Sequence, residues 1–246
     1  MIEGWQLMHS STNYGFTFND HHSSDFGLRV LNSKSITLPN KTKVTVQLPY
    51  SDGVVDLSSV YGNNNFGERT ITFPCRLPVG YNNREQLYSI LTKITNWLMT
   101  PAGKIRLEDD VMSDFYYLAE VEQGPQIQEF SVYTNITIVF QCYPYRFHRA
   151  NVEDLWDPFR FDWDIAQNTK FDVKGTQNIL LISGSNTTVP LNIDASASFQ
   201  LIINNQVFSI PKGITNNYDI VIEPGENNIT IKGNGIISFD WFEEVI

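Results

Sequence analysis

A single stretch, residues 83–99, repeats its apolar side chains at helical spacing. Leu87, Ile90, Leu91, Ile94 and Leu98 fall at i, i+3, i+4, i+7 and i+11 and make one stripe. Asn83 is placed to cap the start, with Gln86 three residues on, and Glu85 suits the positive end of the helix dipole. Pro101 and Gly103 end the run. Nearly all the rest of the chain reads as short strands and turns. A lone helix of about four turns does not keep its stripe in water, so it must lie on a sheet. The N-terminal half is therefore expected to be a β-sandwich with one helix packed on it.

The 246 residues suffice for two modest cores, and 41% hydrophobic with 13% aromatic content argues for a folded chain. Residues 1–13 are mixed and polar, so no signal peptide is expected. No apolar run approaches the length of a membrane span. Residues 1–150 carry 12 Lys and Arg against 14 Asp and Glu; residues 151–246 carry 5 against 13. Such a chain lacks the basic footprint that phosphate neutralisation requires, so DNA meeting it is repelled rather than held. Cys75 and Cys142 both fall in expected strands. They read as buried free thiols, or as a disulfide if those strands are neighbours.

Strands are expected at 14–19, 25–30 with Gly27 at a bulge, 36–38 and 43–48, and at 69–77. Between the last two, residues 50–68 differ. Tyr50-Ser51-Asp52-Gly53 and Tyr61-Gly62-Asn63-Asn64-Asn65-Phe66-Gly67 are turn-rich, and Val54, Val55, Leu57 and Val60 lie between them without good periodicity. This is expected to be an extended arm or hairpin with exposed apolar residues, a surface that usually has a partner. Val54, Val55, Leu57, Val60, Tyr61 and Phe66 are its candidate interface residues.

After the helix, 104–107 and 115–121 read as a hairpin around the acidic turn Glu108-Asp109-Asp110. Residues 130–140 form a long alternating strand, and Pro144 is expected to stop the sheet. A boundary is expected within or just before the aromatic, acidic segment 148–170, giving domains 1–147 and 148–246. Beyond it, seven short strands, at 179–182, 189–193, 199–203, 207–210, 218–222, 228–231 and 236–241, suggest a second β-sandwich. Asn204-Asn205 suits a type I′ turn, and Glu223-Pro224-Gly225-Glu226 a type II turn.

Catalytic and metal-binding patterns are not found. His9, His21, His22 and His148 share no ligand spacing with one another or with a cysteine. The glycines at 62–67 lack the lysine and the strand-to-helix context of a phosphate loop, and no Gly-x-Ser-x-Gly elbow occurs. Glu108, Asp109, Asp110 and Asp114 lack a calcium-loop spacing and read as a solvated turn. Trp156, Trp163 and Trp241 read as core or interface packing, with stacking on sugar rings as the other reading. The Asn-x-Thr triplets at Asn40, Asn135, Asn186 and Asn228 read as strand and turn residues. No enzyme activity, cofactor or metal is expected.

An ordered set of motifs resembles the distal tail protein (Dit) family of siphophage-type tails and prophages. It comprises Phe16-Thr17-Phe18, Ser24-Asp25-Phe26-Gly27-Leu28, Leu48-Pro49-Tyr50-Ser51-Asp52-Gly53 and Phe66-Gly67-Glu68-Arg69-Thr70-Ile71. It continues with Arg84 to Leu98, ending in Trp-Leu, and with Gly103-Lys104-Ile105-Arg106-Leu107-Glu108-Asp109-Asp110. Tyr116-Tyr117-Leu118-Ala119-Glu120-Val121 and Phe140-Gln141-Cys142-Tyr143-Pro144-Tyr145 complete it. In the second half, Glu223 to Ile231 resembles the turn and strand of the family's C-terminal sandwich.

The resemblance implies a mainly β fold: an N-terminal sandwich with one helix and a projecting hairpin, then a galectin-like or carbohydrate-binding-module-like sandwich. It implies a homohexameric ring, able to stack, that joins the tail tube protein to tail-tip, receptor-binding or baseplate proteins. DNA would pass through its channel without specific binding. It implies a place at the virion tail tip, assembly in the host bacterial cytoplasm, and no membrane. The alternative reading is a carbohydrate-binding module that recognises the host surface. The second sandwich is small, without an added sugar-binding insertion, so it is expected to dock other tip proteins.

Overall fold

A computed structural model describes residues 14–50, 52–58, 60, 65–149 and 165–246. His9, Tyr61, Trp156 and Trp163 lie outside them. Among the described residues the fold is mainly β with one α-helix. The chain divides into two units. One takes residues up to Lys41 together with Phe66–Pro144; the other takes Thr42–Asn65 and Tyr145–Ile246.

In the first unit, alternation writes the core. Arg69–Leu77 pairs antiparallel with the long strand Thr134–Arg149, setting Ile71 opposite Phe140, Phe73 opposite Ile138, and Cys75 opposite Ile136. All six side chains are buried on the same face. The sheet continues through Phe115–Glu120 and Ile105–Asp109 to Phe16–Phe18 and His21–His22; Arg29–Val30 closes the other side. Ile105–Asp109 and Phe115–Glu120 form the expected hairpin, with Ile105 opposite Ala119.

The helix Arg84–Met99 covers this face. Its cap is the expected one: Asn83 Oδ1 accepts from Gln86 N at 3.4 Å, and Asn83 Nδ2 donates to Gln86 Oε1 at 2.7 Å. Leu87, Leu91, Ile94 and Leu98 are buried and Ile90 is half-buried against the cluster. Trp97, three residues after Ile94 but not among the five residues named for the stripe, is buried too. Its ring stacks on Phe26 at 4.4 Å and lies 5.8 Å from Phe16. Its indole nitrogen donates to Phe18 O at 2.7 Å, tying the helix to the sheet.

Two local expectations are corrected. Gly27 is not at a bulge. Residues Ser23–Phe26 form a 3₁₀ turn capped by the His22 side chain, and Gly27, at φ 73°, ends it in the left-handed region. Pro144 does not stop its strand. The ladder to Arg69–Leu77 ends at Cys142, and the ladder to Phe242–Val245 begins at Arg146. In these two ladders Pro144 falls in the gap, so neither calls on its missing N–H.

Cys75 and Cys142 are free and buried. Cys75 faces Ile136, six residues from Cys142 along the same strand, so about 20 Å separates them and no disulfide spans it. Burial pushes both thiols up to about 12. The native chain at pH 8 is therefore expected to resist a thiol reagent that labels both cysteines once urea unfolds it. Rapid labelling in native buffer would contradict this placement.

The second unit holds a six-stranded sheet. Gln206–Ile210, Phe199–Ile203, Gly225–Asp240, Val189–Ala195 and Gly213–Ile222 follow in that order, and Lys170–Ser183 pairs along Gly225–Asp240. The separate strands expected around 228–231 and 236–241 are one strand with a bend. Its first part pairs with Phe199–Ile203 and its end with Val189–Ala195. Gly233 makes the change possible: it sits at φ 151°, and a Cβ there would lie 2.5 Å from the Phe199 ring. Both expected turns are present, with Asn204 and Asn205 at φ 49° and 64°, and Gly225 at φ 86°. The Asn227 side chain closes the second turn through Glu223 N, Glu223 O and Gly225 O. Trp241 is fully buried in this core.

Candidate assembly surface

The segment expected to be an arm is a two-stranded hairpin. Thr45–Gln47 pairs antiparallel with Val54–Asp56, in the register Thr45 to Asp56, Val46 to Val55 and Gln47 to Val54. Leu57 N donates to Val44 O at 2.8 Å, which extends the ladder by one step. Lys43 pairs with Asp56 at 3.4 Å, and Ser58 N donates to Asp56 Oδ1 at 2.9 Å. The strand expected at 43–48 is thus the first strand of the arm and not part of a sandwich.

Directly opposite residues share a face of an antiparallel pair. Val44, Val46, Leu48, Val55 and Leu57 therefore form one apolar face, with Thr45, Gln47, Val54 and Asp56 on the other. The apolar face is uncovered: Val46 is 46% exposed and Val55 40%. Tyr50 in the connecting loop is fully exposed, at φ 62°. A lone two-stranded hairpin is marginal in water, and this one shows water its apolar side. Of the expected interface residues, the hairpin brings together Val55 and Leu57. Val54 points to the polar face, Val60 lies exposed beyond it, and Phe66 sits half-buried at its base. Val44, Val46 and Leu48 were missed. Their alternation, mirrored by Val55 and Leu57 across Tyr50-Ser51-Asp52-Gly53, is the hairpin signal that would have found them.

A second cluster joins four separate stretches of the first unit. Lys104 bridges Glu120 at 2.6 Å and Glu68 at 2.8 Å, and Gln141 receives the Thr70 hydroxyl at 3.2 Å. Hydrogen bonds from Lys104 and Gln141 hold the Glu68 carboxyl below its ordinary range, and bonds to Glu120 and Glu68 hold Lys104 above its own. The Glu68 contribution to stability is therefore full above about pH 4.5 and fades as pH falls through the lowered value. The Lys104 contribution is full below about 10.5 and fades as pH rises through the raised value. Glu68→Gln is expected to lower the urea midpoint at pH 7 by more than at pH 3. An equal difference at both pH values would contradict the linkage.

The acidic turn is also engaged rather than free in solvent. Asp109 pairs closely with Lys34 and caps Val111 N. Asp110 accepts from Gly15 N at 2.7 Å and lies 3.2 Å from His22 Nε2, and Glu108 pairs closely with Arg106. These carboxylates hold strand ends in place. Among the described residues no three His, Cys, Asp or Glu side chains gather as a metal site, and no helix is long and apolar enough to cross a membrane.

No family model matches the chain, and no curated protein matches it. Solved structures do. The crystal structure of the SPP1 Dit protein, described as a paradigm of the hub adsorption apparatus in phages infecting Gram-positive bacteria, superposes with a TM-score of 0.59. The match covers 95% of this chain and 99% of that one at 10% identity. The chain shares the Dit fold. The phage P2 baseplate structure also matches, with a TM-score of 0.42 at 11% identity, over 94% of this chain and 97% of that one. At such identity the Dit likeness is one of fold, reached by a different set of side chains. It spans both units, as did the motifs quoted above.

Proposed function

We propose that this chain is the distal tail hub of a siphophage-type tail. Six copies form a ring that joins the tail tube to the tail-tip or baseplate proteins and leaves a channel for DNA. The observation that carries this reading is the hairpin with one uncovered apolar face, which needs a protein partner to be stable. In a ring that partner is the next copy, because a contact between two different patches repeats head to tail and closes by rotation. The Dit fold over almost the whole chain supports the same reading. The net charge of −10 suits a channel along which DNA slides without sticking. No catalytic step belongs to this role, and the 148–246 domain serves to dock tip proteins. The particle belongs at the virion tail tip and assembles in the host cytoplasm. Negative-stain imaging of the purified protein tests this: six-fold annuli with an open centre are expected. Particles without a central opening would count against it.

A further inference from the structure

The ring reading requires that each copy also carry the surface that receives a hairpin, and we propose that this acceptor is the aromatic patch at the start of the helix. The chain approaches itself closely there: Tyr81 N donates to Phe130 O at 2.9 Å and Asn82 N to Ser131 O at 3.2 Å. The Tyr88 hydroxyl donates to Glu129 at 3.0 Å. These bonds bring together the segments that carry Tyr81, Tyr88, Phe130 and Val132, and all four side chains are exposed, Tyr88 at 55% and Val132 at 65%. Two exposed arginines flank them on aromatic rings. The Arg84 guanidinium lies 5.9 Å from the Tyr81 ring centre, and that of Arg76 4.3 Å from the Tyr133 ring. Tyrosine and arginine around an apolar centre is the composition of a binding hot spot.

Charge selects the hairpin of a second copy as the occupant. At the hairpin, Asp56 is taken by Lys43, which leaves Asp52, exposed in the connecting loop, with no cationic partner among the described residues. At the patch, Glu129 is engaged by Tyr88, and Glu85 faces the first helical turn. Arg84 is left with no carboxylate partner among the described residues. The apolar face formed by Val44, Val46, Leu48, Val55 and Leu57 then covers Tyr88, Phe130 and Val132, and Asp52 meets Arg84. Donor and acceptor are different patches, so the contact is heterologous and propagates around a ring.

Mixing two defective full-length chains tests this. Val46→Asp with Val55→Asp disables the hairpin, and Tyr88→Ser with Val132→Asp disables the patch; all four positions are exposed, and circular dichroism checks that each variant is folded. By light scattering each variant alone is expected at the 28.2 kDa chain mass, and an equimolar mixture at twice that mass and no more. As a second route, Asp52→Arg and Arg84→Asp each weaken association about tenfold, and together restore it. A patch variant that assembles like the unaltered chain overturns the acceptor and leaves the ring reading standing. A hairpin variant that assembles overturns the hairpin as the contact between copies, and the acceptor with it. A mixture that stays at the mass of one chain overturns the hairpin-to-patch contact.

Discussion

Trp97→Ala is expected to cost about 3–5 kcal/mol, the range for deleting a large aromatic from a core. The ring fills the space between Phe26, Phe16 and Phe18, and its N–H is the donor to Phe18 O from the helix. Truncation opens a cavity and takes the donor from a buried carbonyl together, and loss of such a hydrogen bond alone costs about 1 kcal/mol. Trp97→Phe separates the two effects, because it keeps most of the volume and loses the bond. Its expected cost is about 1–2 kcal/mol. Urea unfolding followed by far-ultraviolet circular dichroism measures both. A cost below about 1 kcal/mol for Trp97→Ala would mean that the helix does not depend on this contact.

Gly80→Ala is expected to be nearly as damaging, for a different reason. Gly80 has an ordinary extended backbone, with φ −122° and ψ −171°, so alanine loses nothing by conformation. The obstacle is space: an added Cβ would lie 2.1 Å from Phe130 O and 2.6 Å from Ser131 C and O, all backbone atoms. One side of the contact must move, and that breaks the hydrogen bonds from Tyr81 N and Asn82 N. A loss of about 3 kcal/mol, at the upper end of overpacking costs, is expected in the same urea experiment. An unchanged midpoint would show that the two segments separate freely. Because this contact builds the aromatic patch, the variant should also assemble less well than its residual stability implies.

These two residues mark where the sequence was legible and where it was not. The helix and its cap followed from periodicity and from Asn83 with Gln86, since both signals are local. The two turns in the second unit followed from residues that tolerate positive φ, at Asn204-Asn205 and Pro224-Gly225. Trp97 stands three residues after Ile94 and so lies on the stripe, yet its role depends on three rings that precede it by about seventy residues or more. Gly80 announces nothing locally, because what excludes a side chain there is backbone fifty residues later. Pro144 misled for the same reason: whether a proline ends a strand depends on which neighbour needs its N–H, and that neighbour changes at this point. The hairpin was half legible. Its second strand stood out as unexplained apolar residues, while its first passed for a core strand because alternation reads alike whether the apolar face meets a core or a partner.

The mass of the intact chain in solution tests the central claim most directly. Sedimentation equilibrium over a wide range of concentration is expected to give a particle of about six chain masses. The same chain with residues 43–58 replaced by a short Gly-Ser link is expected at the mass of one shortened chain, below the 28.2 kDa of the intact one. That span removes both strands; a deletion from Gly53 onward would leave Thr45–Gln47 without its pair. A 28.2 kDa particle at every concentration up to the millimolar range, with the hairpin intact, would contradict a ring closed by that hairpin.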